Sequence, residues 1–266
     1  MRLDSFLLHQ KGSPKTAVID GNRQITYQQL YASADKLAEA IKKLDIHSPI
    51  GLFLPNSIEY VTGYFAITLS DCVIVPIRPQ STFFEICKII DHCEIRLVLT
   101  LSSLLPVFQA GEDSLPSRLM LLCMDTTEIY LLNQKKEFCQ ATYDMTVRDE
   151  DSPALFLQTS GTTSSAKTVM LTHKNLLSNA RSVAQSLRLT DDDRTLIQMP
   201  LQLSSGNIQM LSHLSVGAVC VLNNRLFSPK LYYKIVNQFN ITNFCCVTYM
   251  LQSLLQTCDL SLLNNL

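Results

Sequence analysis

Short apolar runs alternate with amphipathic stretches along most of this chain, and that alternation limits its fold more than any other feature. Ile50-Gly51-Leu52-Phe53-Leu54, Val73-Ile74-Val75, Leu97-Val98-Leu99, Leu119–Cys123, Ala154-Leu155-Phe156-Leu157, Leu196–Met199, Val219–Leu222 and Phe244–Val247 are each of strand length. Between them lie helical stretches: 57–69 after Ser57, 82–92 after Thr82, 172–187 after Thr172, then 207–215, 229–239 and 250–256. Apolar strands separated by helices build βαβ units, in which crossover helices cover a parallel sheet. The opening differs. Ala17-Val18-Ile19, Asp20-Gly21-Asn22 and Gln24-Ile25-Thr26-Tyr27 form strand, turn and strand, the D-G pair marking a hairpin. Leu30, Ala34, Leu37, Ala38 and Ile41 then trace one helix face. The expected fold class is α/β, layered βαβ sheets with helices on both faces.

Composition removes several function classes. Of 266 residues, 47% are apolar and 17% charged, which excludes a wholly disordered chain. The net charge of −1 leaves no basic face for nucleic acid. The uncharged stretches Thr195–Asn224 and Ile235–Cys258 are broken by Gln, Asn and Ser, so neither offers the ~20 mostly apolar residues of a membrane span. The first residues carry no apolar run long enough for a secretory signal. Nine cysteines without a C-x-x-C pair, and five scattered histidines, predict no metal site. Free thiols and a cytoplasmic location follow. The segment Asn133–Asp151, polar and weakly periodic, is expected to be a surface excursion.

Chemistry concentrates in Thr159-Ser160-Gly161-Thr162-Thr163-Ser164-Ser165-Ala166-Lys167-Thr168, directly after a buried strand. Phosphate oxygens want closely spaced N–H and O–H donors and a cation, which small hydroxyl residues, Gly and Lys supply. A solvated Ser/Thr loop has the same composition. A P-loop is a further alternative, because Gly161-x-x-x-x-Ala166-Lys167-Thr168 matches its pattern except at Ala166. A P-loop needs a helix opening at the Lys, whereas Thr168-Val169-Met170-Leu171 has strand character and the helix cap waits until Thr172. No residue pattern singles out a catalytic side chain.

A longer match uses more of the chain. Leu157-Gln158-Thr159-Ser160-Gly161-Thr162-Thr163, Lys167, and Val169-Met170-Leu171-Thr172-His173-Lys174-Asn175-Leu176 resemble the phosphate-loop signature T-S-G-T-T-G-x-P-K-G-V-x-x-[ST]-H-x-N of the adenylate-forming superfamily. That superfamily holds acyl-CoA synthetases, luciferases and peptide-synthetase adenylation domains. Leu54-Pro55-Asn56-Ser57-Ile58-Glu59-Tyr60, Cys72 to Pro79, and Met199-Pro200-Leu201 with Ser205-Gly206, Leu211 and Gly217-Ala218-Val219 are similar to further family stretches, in the same order. Departures are specific: Ser164, Ala166 and Thr168 replace Gly, Pro and Gly, Leu203 replaces a frequent His, and Ser70-Asp71 replace a Gly. The Y-G-x-T-E segment is absent from Asn223–Leu266.

The resemblance implies the N-terminal part of an ATP-dependent carboxylic acid–AMP (acid–thiol) ligase, using ATP and Mg²⁺. Thr159, Ser160, Gly161, Thr162, Thr163 and Lys167 would contact the β- and γ-phosphates. Partners would be a carboxylic acid, coenzyme A or a carrier-protein thiol, and a separately encoded C-terminal half. A non-catalytic remnant or binding module of the same fold is the alternative. His173 and Asn175 are expected to serve helix packing and capping. The resemblance further implies that 1–266 is an incomplete N-terminal AMP-binding domain lacking the C-terminal domain. Residues 1–70 and 195–266 would contribute to one subdomain and 71–194 to the other.

Overall fold

The computed structural model describes residues 1–109, 111, 114–115, 119–132, 149–159 and 167–257. In chain order these form α1 (Ser5–His9), β1 (Thr16–Asp20), β2 (Arg23–Thr26), α2 (Tyr27–Lys43), β3 (Ile50–Phe53), α3 (Ile58–Leu69), β4 (Ile74–Ile77), α4 (Phe83–His92) and β5 (Leu97–Thr100). Next come α5 (Pro106–Gln109), β6 (Leu119–Cys123), β7 (Ile129–Leu132), β8 (Pro153–Thr159), β9 (Lys167–Thr172) and α6 (His173–Ser186). The last elements are β10 (Arg194–Ile197), α7 (Ser204–Val216), β11 (Val219–Leu222), α8 (Pro229–Gln238), β12 (Asn243–Phe244) and α9 (Thr248–Thr257). No helix among the described residues is long and apolar enough to cross a membrane.

Two compact units result, one of Met1–Ser5 with Ala32–Asn175, the other of Phe6–Tyr31 with Leu176–Leu266. The first contains a seven-stranded sheet in the order β7-β6-β5-β3-β4-β8-β9. Its inner pairs are parallel, and β7 and β9 pair antiparallel at the two ends. Every residue of β3, β4 and β5 is buried, as a sheet covered on both faces requires. One face packs Phe53, Val75, Ile77 and Val98 against Ile86 and Ile90 of α4 and Phe108 of α5. On the other, Gly63 brings α3 so close that an added Cβ would lie 2.9 Å from Leu52 and 3.2 Å from Leu99. Ser57 starts α3 by accepting the Tyr60 amide, and Thr82 and Glu85 close a reciprocal capping box on α4.

The division differs from the one the sequence suggested. Strand β3 runs beside β4 in register from Ile50↔Ile74 to Phe53↔Ile77, with α3 as the crossover. That pairing places 32–70 with 71–175, and 176–194 falls with 195–266. Strand β7 is also unforeseen, an antiparallel partner for β6 with Ile129 and Leu131 exposed. The excursion expected at Asn133–Asp151 lies largely outside the described residues.

The second unit contains a five-stranded sheet, β12-β10-β11-β1-β2. Gly21 turns the β1–β2 hairpin at φ +61°. Leu196, Val221, Tyr232, Val236, Met250 and Leu254 form its core on the side of α8 and α9. On the α7 side, the Gln209 amide donates to the Thr195 hydroxyl at 2.7 Å and to the Leu196 carbonyl at 3.1 Å. Thr195 is fully buried, so this pairing removes a polar group that would otherwise be costly there. The Tyr27 hydroxyl donates to the Ala218 carbonyl at 2.6 Å.

Several helices end in the same way. The amide pairs Asp71→Thr68 and Cys72→Ile67, Glu94→Asp91 and Ile95→Ile90, Arg188→Gln185 and Leu189→Ala184, and Asn240→Asn237 and Ile241→Val236 are Schellman closures. The left-handed residue in each, Asp71, Glu94, Arg188 or Asn240, has φ between 50° and 61° and is not glycine. At α7, Gly217 fills that place with φ +86°.

Candidate functional site

The hydroxyl-rich loop hangs from an antiparallel hairpin. Thr159 ends β8 and Lys167 opens β9, and the two are register partners. Facing residues of an antiparallel pair lie about 5 Å apart, so the residues flanking 160–166 meet at one point of the sheet. The Lys167 side chain is exposed at that point. Ser160, Gly161, Thr162 and Thr163 lie outside the described residues, as do Ser164, Ala166 and the side chain of Thr159. The structure therefore brings the first and last of the six expected phosphate residues together at the base of the loop.

The next rung locks the stem. The Thr168 hydroxyl donates to Gln158 Oε1 at 3.0 Å, and Gln158 Nε2 lies 3.6 Å from Cys93 Sγ. Burial raises the Cys93 thiol above its ordinary pKa, against the hydrogen bonds of Thr168 and Gln158. Thr168 stands where the related pattern has Gly, and its hydroxyl has found a cross-strand partner there. Gln158 and Cys93 carried no functional signal in the sequence, and only strand register joins them to the loop.

The far end of β9 feeds α6. Thr172 accepts the Asn175 amide at 3.1 Å and Asn175 Oδ1 accepts the Thr172 amide at 3.0 Å, a reciprocal cap. This is the role the sequence suggested for Asn175. His173 is buried, and its Nδ1 accepts the Leu3 amide at 3.2 Å. Burial and the neighbouring Arg2 charge push its imidazole pKa down to about 4. The ring is therefore neutral at pH 7, with its proton on Nε2. Lys174 lies 3.7 Å from Glu150 and 3.5 Å from Asp151, which commits that cation to carboxylates.

A strand, not a helix, opens at Lys167, and the helix begins at His173. That disposes of the P-loop alternative, whose geometry needs helix amides at the Lys. The segment 159–168 offers hydroxyls, backbone amides and one ammonium but no carboxylate. This donor set suits a polyphosphate anion. The segment contains none of the carboxylates that usually anchor Mg²⁺ in a protein. Among the described residues, no group of three His, Cys, Asp or Glu side chains is placed to hold a metal ion.

Comparison with known proteins gives the family and the fold. The family model described as AMP-binding enzyme matches residues 8–264. Crotonobetaine/carnitine–CoA ligase of Proteus mirabilis is 28% identical over 247 residues, covering 88% of this chain and 47% of the relative. 2-Succinylbenzoate–CoA ligase of Bacillus licheniformis is 28% identical over 247 residues, covering 92% and 49%. The structure of O-succinylbenzoate coenzyme A synthetase from Bacillus subtilis, in complex with AMP, matches with TM-score 0.79 and 25% identity, over 97% of this chain and 65% of that one. The chain spans about half the length of the curated relatives it matches.

Proposed function

Because the chain belongs to the AMP-binding enzyme family, we propose that it is the N-terminal part of an ATP-dependent carboxylic acid–AMP (acid–thiol) ligase and that its β8–β9 hairpin holds the ATP phosphates. One observation carries this reading: Thr159 and Lys167 are register partners at the two ends of a Ser/Thr/Gly loop. Thr159, Ser160, Gly161, Thr162, Thr163 and Lys167 are the proposed contacts to the β- and γ-phosphates. ATP supplies an activated α-phosphoryl group, which a carboxylate oxygen attacks as pyrophosphate leaves, and a thiol then displaces AMP from the acyl-adenylate. The loop hydroxyls and amides neutralise the charge that moves onto the departing pyrophosphate. Lys167 adds a point charge at the end of the stem, beside the Gln158–Thr168 rung.

A separately encoded C-terminal half is proposed as a further partner. Coenzyme A or a carrier-protein thiol is the proposed acceptor. The seven cysteines of the described residues are free thiols, which suits a reducing, cytoplasmic setting.

The test is thermal unfolding of the chain with and without MgATP. Saturation at about 100 times Kd stabilises by about 2.7 kcal/mol. Lys167→Ala removes a charge-assisted contact and weakens binding by about 10- to 100-fold. A nucleotide shift that Lys167→Ala leaves unchanged, or no shift at all, refutes the phosphate role. Acid-dependent pyrophosphate exchange, assayed with and without a C-terminal half, separates ligase from non-catalytic binding module.

A further inference from the structure

Leu3 and His173 are 170 residues apart in sequence, yet the Leu3 amide donates to the His173 ring. Both are buried, with 0% and 4% exposure. Around this contact the first residues are held by polar groups from other elements of the same unit. The Arg2 guanidinium lies 2.7 Å from Asp71 and donates to the Thr68 carbonyl at 3.0 Å, at the end of α3. Arg2 also lies 3.6 Å from Asp4, and the Met1 ammonium lies 2.7 Å from Glu150.

We propose that His173 is a proton-operated latch for residues 1–4, closed while its Nδ1 accepts the Leu3 amide and opened when a proton occupies that nitrogen. The chemistry is local. Protonated Nδ1 presents an N–H to the Leu3 N–H, so two donors face each other and the bond is lost. The imidazolium also gains a like charge in Arg2 and in the Met1 ammonium, against the opposing charges of Asp71 and Asp149. The other charged groups nearby pair among themselves: Asp4 with Arg2, Glu150 with the Met1 ammonium, and Lys174 with Glu150 and Asp151.

The sign follows from linkage. In the closed state the ring titrates at about 4, and in the released state at the ordinary 6.5. Above pH 6.5 the opening equilibrium is independent of pH, and it grows about tenfold per unit as pH falls from there towards 4, roughly 300-fold in all.

Nuclear magnetic resonance of the full chain, labelled with ¹⁵N-histidine and uniformly with ¹⁵N in separate samples, tests this. The expected result is a neutral His173 ring protonated on Nε2 at pH 7 and titrating near pH 4. Protection of the Leu3 amide against exchange, corrected for intrinsic rates, falls about tenfold per pH unit between 6.5 and 4. His173→Asn places an amide oxygen where Nδ1 stood and cannot titrate, so its Leu3 protection stays flat over that range. A ring titrating near 6.5, Leu3 protection independent of pH in the wild type, or a parallel fall in His173→Asn overturns the proposal. Should His173→Asn fail to fold, the wild-type ring titration and Leu3 exchange decide by themselves.

Discussion

Replacing Gly206 by Ala sets helix propensity against a close backbone approach, and the structure says which wins. Gly206 lies in the first turn of α7, where Ala is favoured over Gly by up to about 1 kcal/mol. An added Cβ would stand 2.2 Å from the Pro200 carbonyl oxygen, 2.6 Å from its carbon and 2.9 Å from the Met199 oxygen. Ordinary contact begins near 3.4 Å, so backbone must retreat by about 1 Å. The Pro200 oxygen is not free to move, because it accepts the Leu203 amide at 3.0 Å in the turn that leads into the helix. Crowding costs about 1–3 kcal/mol and a weakened turn bond about 1 kcal/mol, against the propensity gain. The net expectation is a loss of about 2 kcal/mol, or about 4–8 °C in Tm. Urea and thermal unfolding followed by circular dichroism measure it, with Gly12→Ala as control, since nothing lies within 4 Å of a Cβ there. A Gly206→Ala chain as stable as wild type, or more stable, refutes the steric reasoning.

Two further substitutions probe features of the same kind. Tyr27→Phe removes the buried bond to the Ala218 carbonyl and should lower stability by about 1–2 kcal/mol; an unchanged urea midpoint contradicts this. Arg188→Gly should stabilise by about 1 kcal/mol by relieving the left-handed backbone at φ +53° after α6, and a lowered midpoint would show that the Arg side chain contributes more than its backbone costs.

Much of the architecture was legible because the signals were local. Runs such as Ile50–Leu54 and Leu97–Leu99 are strands, and Ser57, Thr82 and Thr172 cap helices as their positions suggested. Of the stripe Leu30, Ala34, Leu37, Ala38 and Ile41, all are buried except Leu37, which is half-buried. Strand neighbours were not legible, because pairing β3 with β4 and β5 is a long-range choice that no window of sequence contains. That is why 32–70 joined the unit it did. Helix ends were placed to within a residue at α3, α4, α6 and α8, but the backbone that closes them was not legible. A chain with eight glycines closes several helices on Asp71, Glu94, Arg188 and Asn240, of which only Asn240 is a residue type that commonly ends a helix. Short α1 has too few turns for periodicity to show. At the candidate site, the loop's composition and the strand at Lys167 were visible. The Gln158–Cys93 and His173–Leu3 partnerships were not, since each joins residues far apart in sequence.

The β1–β11 pairing has a consequence for how the chain is made. Strand β1 lies between β2 and β11, with Val18 opposite Cys220, 220 − 18 = 202 residues later. The β1–β2 hairpin can close as soon as it leaves the ribosome, but its other edge has no partner until β11 is synthesised. At 5–20 residues per second that interval is roughly 10–40 s. Throughout it, Ala17, Val18 and Ile19, all buried in the finished protein, present an unpaired apolar edge. The vulnerable moment for this fold is therefore during translation, and slower elongation lengthens it.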